Sequence, residues 1–365
     1  MILDKLTPVS PTLIGQLQTS RARLAAHVAG GGATLRPPAV PRAGAQASAP
    51  PHGEAAGGAT VAQDEPEEHL RQLCATLALG DLRPFNAYVR WLASVQRHRG
   101  LPPDRIADSL TLMREWIGAR MQHPDRATAA AVLDHGIALL HAPDEGTRHV
   151  CPPDPGRLTG PIGDYVRALL DGRRDTAVDQ VLGAMGAGAS LVDVSVDLVQ
   201  PALYEIGRLW QHNRIGVAQE HLATAIAQNA LAAGFARAGF APPNGRRAVF
   251  ACVADNHHGL GLRMVSDAFE VAGWEADFLG ADTPTPDIVR FVCEHRPDLL
   301  GLSAGLVPQV IAVRDVIARV RAELGNAAPP IIIGGLPFAC FGCSALGTGA
   351  DDCFVDARAA VAAAG

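Results

Sequence analysis

Ala248-Val249-Phe250-Ala251-Cys252-Val253-Ala254-Asp255-Asn256-His257-His258-Gly259-Leu260-Gly261 is the stretch that decides the fold. A short apolar run, Ala248 to Val253, ends in a polar loop with two glycines. An amphipathic helical pattern, Leu262 to Val271, follows at once. This reads as strand, loop, helix. The same alternation recurs downstream. Apolar runs at Glu275 to Leu279, Leu299 to Ser303, Ile331 to Ile333 and Cys353 to Val355 alternate with helical patterns at Thr285 to His295, Pro308 to Leu324 and Asp356 to Ala363. About five strand–helix repeats predict a parallel sheet with helices on both faces. A ligand of such a sheet sits at the carboxyl ends of the strands, and the 255–261 loop lies at one of them.

Upstream of the Pro242-Pro243-Asn244-Gly245 break, a helical block runs from about Ile162 to Ala238. A Pro-rich segment, Cys151-Pro152-Pro153-Asp154-Pro155-Gly156, reads as a linker. From Glu65 to about Ala142, apolar residues recur at spacings of three and four (Leu70, Leu73, Cys74, Leu77; Tyr88, Trp91, Leu92, Val95). The period predicts a bundle of about four helices. Residues 1–64, with Gly30-Gly31-Gly32 and a Pro/Ala/Gly-rich tract from Pro37 to Ala62, read as disordered apart from a short helix near Pro11 to Val28. The expected fold is multidomain: residues 1–64 low-complexity, 65–145 a helical bundle, 157–240 a four-helix cap and 246–365 a Rossmann-like (flavodoxin-like) α/β domain.

The bulk numbers narrow the function classes. A net charge of −6 over 365 residues gives no electrostatic case for direct nucleic-acid binding or for an anionic membrane surface. No apolar run is long enough to span a bilayer, and Met1 to Lys5 does not open a signal peptide. A cytoplasmic protein with reduced thiols is expected, since 7 cysteines, an odd number, suggest no disulfide framework. Cys340-Phe341-Gly342-Cys343 is a Cys-x-x-Cys pair, read as two incidental thiols with a redox role as the alternative.

The spacing around the loop is more specific. After Gly261 come 41 residues (262 to 302), then Ser303-Ala304-Gly305, then 28 residues (306 to 333), then Gly334-Gly335. This resembles the cobalamin-binding fold of methionine synthase and the corrinoid proteins, with its acid-x-His-x-x-Gly loop, Ser-x-Leu turn and Gly-Gly pair. The resemblance implies that His258 ligates cobalt and that Gly261 fills the family's glycine position. It implies further that Ser303, Gly305, Gly334 and Gly335 border a slot for the nucleotide tail. Two positions depart from the pattern. Gly305 stands where Leu is frequent, and Asn256 stands where an Asp or Glu orients the ligating imidazole. A second-shell acceptor fixes the tautomer of a metal-bound His. Asn256 offers that ring a carbonyl oxygen without charge, so a weaker donor His258 is expected, with Asp255 or His257 as compensation. Taking His257 as the ligand would restore an acid two residues before it, but would place Leu260 at the glycine position. His258 is preferred.

Residues 198–231 resemble the helical cap of the CarH-type light-sensing repressors, which set a Trp and a Glu-His pair over the upper face of adenosylcobalamin. The matching residues are Trp210, Glu220 and His221. The His that follows the Trp in those repressors is Gln211 here, with His212 next. In layout the chain is closer to the AerR/PpaA-type cobalamin-binding antirepressors. The resemblance implies a non-enzymatic, adenosylcobalamin-dependent photoreceptor that regulates transcription through a protein partner or a change of homo-oligomer. A corrinoid methyl carrier serving a methyltransferase is the alternative. A second chromophore, haem or bilin, stays open for the bundle, which holds Cys74 and histidines 69, 98, 123, 135 and 141. These histidines are read as surface residues.

Overall fold

The computed structural model describes residues 5–6, 9–30, 58–102, 104–142, 159–342 and 346–365. Most of the low-complexity tract (up to residue 57), the Cys151–Gly156 break and Cys343 lie outside the described residues. The chain divides into two compact units, 1–143 and 144–365.

The first unit is helical: α1 (Pro11–Thr19), α2 (Arg21–Ala29), α3 (Gly58–Leu79), α4 (Arg83–His98), α5 (Asp104–Arg120) and α6 (Arg126–His141). The single short helix expected near Pro11 to Val28 is two helices, α1 and α2. Leu13, Leu17, Leu24 and Val28 fall on one helical face and are buried in a common core with Leu70, Phe85, Leu110 and Leu133. Burying a Leu side chain contributes about 1.5–3 kcal/mol, which counts against the cost of ordering two short helices. The start of α1 is also tied down. The Ser10 N–H donates to Asp125 Oδ2 at 2.7 Å, at the entrance of α6.

His69 is not a surface residue. It is fully buried on α3, with Nδ1 2.7 Å from the Tyr88 hydroxyl. Burial lowers its pKa to about 4, so the ring is neutral. Burial likewise pushes the Cys74 thiol up to about 12, which makes it unreactive.

The second unit begins with a four-helix cap: α7 (Gly160–Leu170), α8 (Arg174–Gly186), α9 (Leu191–Val194) running through a π-helical turn (Ser195–Val199) into α10 (Gln200–Gln211), and α11 (Val217–Phe235). Ser190 and Asp193 close a capping box at the start of α9. The π-turn ends just before Pro201, which has no N–H to give the ladder.

Five parallel strands follow: β1 (Arg247–Cys252), β2 (Glu275–Phe278), β3 (Leu299–Ser303), β4 (Ile331–Gly334) and β5 (Asp352–Phe354). Their order is β2-β1-β3-β4-β5. The helices are α12 (Leu260–Val271), α13 (Thr285–His295), α14 (Val310–Leu324), α15 (Leu336–Phe341) and α16 (Ala357–Ala364). The strands and long helices match the expected runs to within two residues. The short α15 is an addition. Phe250, Cys252, Phe269 and Trp274 pack in the core between the sheet and α12.

The cap is seated on the sheet domain by apolar and polar contacts. Met264 of α12 is buried in the cap core. Arg358 of α16 reaches Asp193 at 2.9 Å and Asp197 at 2.6 Å. The strand order reverses direction between β1 and β3, so a crevice opens at their carboxyl ends. One further expectation is corrected: Cys340 on α15 and Cys353 on β5 are disulfide-bonded rather than reduced. Sequence spacing carries no information about how closely side chains on a helix and an edge strand approach other sulfurs.

Candidate functional site

The carboxyl ends of the three central strands are in register: Cys252 pairs with Ser303, and Ser303 with Gly334. The Ala304 N–H donates to the Gly334 carbonyl at 3.2 Å, so the three strand ends close into one rim. Gly335 leaves β4 at φ +111, and a Cβ there would stand 2.0 Å from the Ala304 carbonyl oxygen. At Gly334 a Cβ would meet the Phe354 carbonyl at 3.0 Å. These two glycines are where the chain passes too close to itself for a side chain. Ser303 is buried beside Cys252, whose thiol burial pushes up to about 12 against the opposing effect of a hydrogen bond with Ser303.

The loop from β1 to α12 carries Asp255, Asn256, His257 and His258. Asp255 adopts φ +64 and Asp282, at the end of β2, φ +51. Left-handed backbone at non-glycine residues persists only where its surroundings hold it. Here the Asp255 N–H donates to Asp282 Oδ1 at 2.7 Å, and the Asp282 N–H to the Asn256 carbonyl at 3.0 Å. His257 and His258 are exposed, and Asn256 is fully buried.

The expected role of Asn256 is corrected. Its Nδ2 donates to the Ser303 carbonyl at 2.9 Å, and its Oδ1 accepts from the His258 backbone N–H at 3.1 Å. It therefore fixes the backbone of the His258 loop against β3 and gives its oxygen to the main chain instead of the imidazole. The reason is local: a short amide side chain turns back onto the residue two positions on.

The second departure, Gly305, is sterically tied to the first. A Cβ at 305 would lie 2.8 Å from His258 Nδ1 and 2.9 Å from Asn256 Oδ1. A larger residue there would displace both. Gly261, in the first turn of α12, is the opposite case: a Cβ there would meet nothing within 4 Å, so the position faces open space.

Sequence reasoning missed Gln309. It is buried and accepts from the Gly305 and Leu306 N–H groups at 2.7 and 2.8 Å. Its Nε2 donates to the Asp255 carbonyl at 2.7 Å. A glutamine just before a helix belongs to no motif, so no local signal marks it.

In the cap, Trp210 packs half-buried against the cap core near the end of α10. Glu205 holds Arg208 through two contacts of 2.6 Å, and Arg208 Nη1 lies 3.2 Å from His212 Nδ1. That chain leads into a tight turn in which Asn213 takes φ +55. α11 begins beyond it. Glu220 accepts from the Thr224 hydroxyl at 3.0 Å and faces exposed His221 at 3.5 Å. A pocket lined by Met185, Leu191, Arg237 and Val271 shares no residue with this site.

Two stretches, residues 162–233 and 246–364, match family models described as B12 binding domain. Together they cover just over half of the chain. These stretches belong to the B12-binding domain family. The chain therefore carries a cobalamin-binding module, and the glycine-lined rim with an exposed His at the strand ends fits such a group.

The HTH-type transcriptional repressor CarA of Myxococcus xanthus is 30% identical over 162 residues, 43% of this chain and 53% of the repressor. CarH of the same organism is 28% identical over 165 residues, 45% of this chain and 52% of that protein. Dimethylamine corrinoid protein 3 of Methanosarcina acetivorans is 30% identical over 80 residues, 22% of this chain and 38% of the other. The chain spans about half the length of the two repressors. Among the described residues, no helix is long and apolar enough to cross a membrane.

Proposed function

We propose that this protein is a cobalamin-dependent regulator that senses light through adenosylcobalamin and acts through a protein partner or a change of oligomeric state. The observation that supports the reading is His258 beside the Gly334-Gly335 rim at the strand ends, in the same compact unit as a helical cap that carries Trp210, Glu220 and His221. The likeness to two transcriptional repressors supports a regulatory rather than an enzymatic role. When bound, adenosylcobalamin supplies a weak cobalt–carbon bond that visible light breaks.

The chain's own residues have the following roles in this reading. His258 ligates cobalt from the lower face. Ser303, Gly305, Gly334 and Gly335 accept the nucleotide tail, with His257 and Gly261 along its entry. Asn256 fixes the His258 backbone. Trp210 covers the upper face and the Glu220–His221 pair meets the adenosyl group. Trp210, Glu220 and His221 would lose contacts once such a group left, and the packing of their cap on the sheet domain would shift. The test is a visible spectrum of adenosylcobalamin-loaded protein in the dark and after green light, with size-exclusion in both states. A spectrum and elution volume that both ignore illumination refute the light-sensing reading.

The match to a dimethylamine corrinoid protein over 80 residues favours a second reading, a methyl carrier for a methyltransferase. The same lower His would serve it, but a methyl group leaves the Glu220–His221 pair without an object. Tighter dark binding of methylcobalamin than of adenosylcobalamin would select that reading.

A further inference from the structure

The His258 loop is exposed, yet it contains a left-handed non-glycine residue, so something outside the loop must hold it. Three ties are visible. Asp282 holds the Asp255 N–H, Asn256 holds the Ser303 carbonyl, and Gln309 holds the Asp255 carbonyl. Gln309 also grips a second element of the rim. Its single oxygen takes two N–H groups, those of Gly305 and Leu306. Those residues form the turn against which the His258 ring lies, because the Cβ direction of Gly305 points at His258 Nδ1. Gln309 is only 3% exposed, so water does not replace these bonds when they are lost.

We propose that Gln309 is the positioning residue for the lower cobalt ligand: one amide locks the His258 loop to the Gly305 turn and so sets the pose from which the imidazole reaches the metal. This rests on the reading of His258 as that ligand. The two halves of the amide do different work. The oxygen shapes the β3 turn, and the nitrogen ties the His258 loop to it. Gln309→Glu separates them, since a carboxylate still accepts from Gly305 and Leu306 but cannot donate to the Asp255 carbonyl, which it repels. The loop is then released while the turn stays formed.

The experiment uses the full chain loaded with cob(II)alamin. With histidine labelled by 15N, electron paramagnetic resonance reports axial imidazole as a two-line nitrogen splitting, distinct from the three lines given by the cofactor's own unlabelled base. The expected result for Gln309→Glu is an imidazole-split fraction below about half that of wild type. Cobalamin affinity should stay within about threefold, and the apo-protein melting midpoint should stay within about 2 °C. Gln309→Leu, which loses both halves, should reduce the split fraction further. Full splitting in Gln309→Glu overturns the proposal. So does a loss of splitting matched by an equal collapse of affinity and melting midpoint, because that marks a merely structural residue. Should both variants fail to fold, hydrogen exchange on the wild-type apo-protein decides: slow exchange at the Gly305 and Leu306 amides supports the brace, and free exchange overturns it. His258→Ala separates the two layers. If wild type shows no two-line splitting, or His258→Ala retains it, the ligand reading itself falls and the Gln309 proposal with it. If splitting vanishes in His258→Ala yet persists in Gln309→Glu, only the Gln309 proposal falls.

Discussion

Two histidines in two regions of this chain show what burial does and what exposure permits. His69 lies in the core of the N-terminal bundle, fully buried, bonded to Tyr88 and neutral. His258 lies on the exposed rim of the sheet, on a loop that other residues must hold in a strained shape. In the bundle the polar group adapts to its surroundings by losing its charge. On the rim the surroundings are built around the polar group: Gly305 gives it space, while Asn256 and Gln309 fix its backbone. The first arrangement suits a core, and the second suits a ligand.

The largest expected effect sharpens the rim side of this contrast. Gly335→Val forces a side chain into the Ala304 carbonyl at a positive φ. The expected cost is about 1–3 kcal/mol from strain alone, with further loss from the clash. Denaturant unfolding followed by circular dichroism measures it. Gly261→Ala is the counterpart. It meets open space in a helix, so stability should hold or rise by less than about 1 kcal/mol, and any loss of cobalamin binding then reports contact with the ligand. Equal stability losses at the two glycines would break the picture of a rim shaped by close approach.

The bundle side is tested by pH. The His69 pKa is about 4 when folded against an ordinary 6.5. The unfolded chain therefore binds more protons between these values, and stability rises with pH through that window. The group's contribution is present above about pH 6.5 and is lost as pH falls to about 4. The span corresponds to about 3 kcal/mol at roughly 1.4 kcal/mol per unit. Acid unfolding followed through Trp91 and Trp116 should show this slope, and His69→Leu should flatten it. A slope that survives the substitution assigns the proton to another group.

His258→Ala carries the comparison to the cofactor. Removing a ligand from an exposed loop should leave the melting midpoint nearly unchanged. Cobalamin affinity should weaken by roughly 100-fold, near the upper end of what metal-site substitutions cost. Titration followed by visible absorbance checks it. His69→Ala should do the reverse, with lower stability and unchanged affinity.

What the sequence revealed follows the same division. The strands of the sheet were legible because buried parallel strands are continuous apolar runs between turn residues. The His258 loop could be singled out because residues at strand ends are spaced by whole strand–helix units. The partners of Asn256 could not be read. An amide chooses between a ring and a backbone N–H only once the turn is formed. Gln309 was illegible, since its three partners lie on two other loops. The helical stretch near Pro11 to Val28 was legible because four apolar residues sit at helical spacing, but its division into α1 and α2 was not.

The smallest expected effect concerns the join between cap and sheet. Arg358 makes short contacts to Asp193 and Asp197, next to the π-helical turn, and all three side chains are substantially exposed. Exposed pairs gain little because water and salt screen them and long side chains lose rotamer freedom. Met264, by contrast, is buried in the cap core from the sheet side. Arg358→Ala should therefore shift the melting midpoint by less than about 2 °C. Met264→Ala should cost about 2–5 kcal/mol through the cavity it leaves. If both hold, the cap is seated by apolar packing and the arginine only selects its orientation, which is the arrangement a movable cap needs. A large loss from Arg358→Ala at high salt would reverse that assignment, because a screened surface pair has no means of producing it.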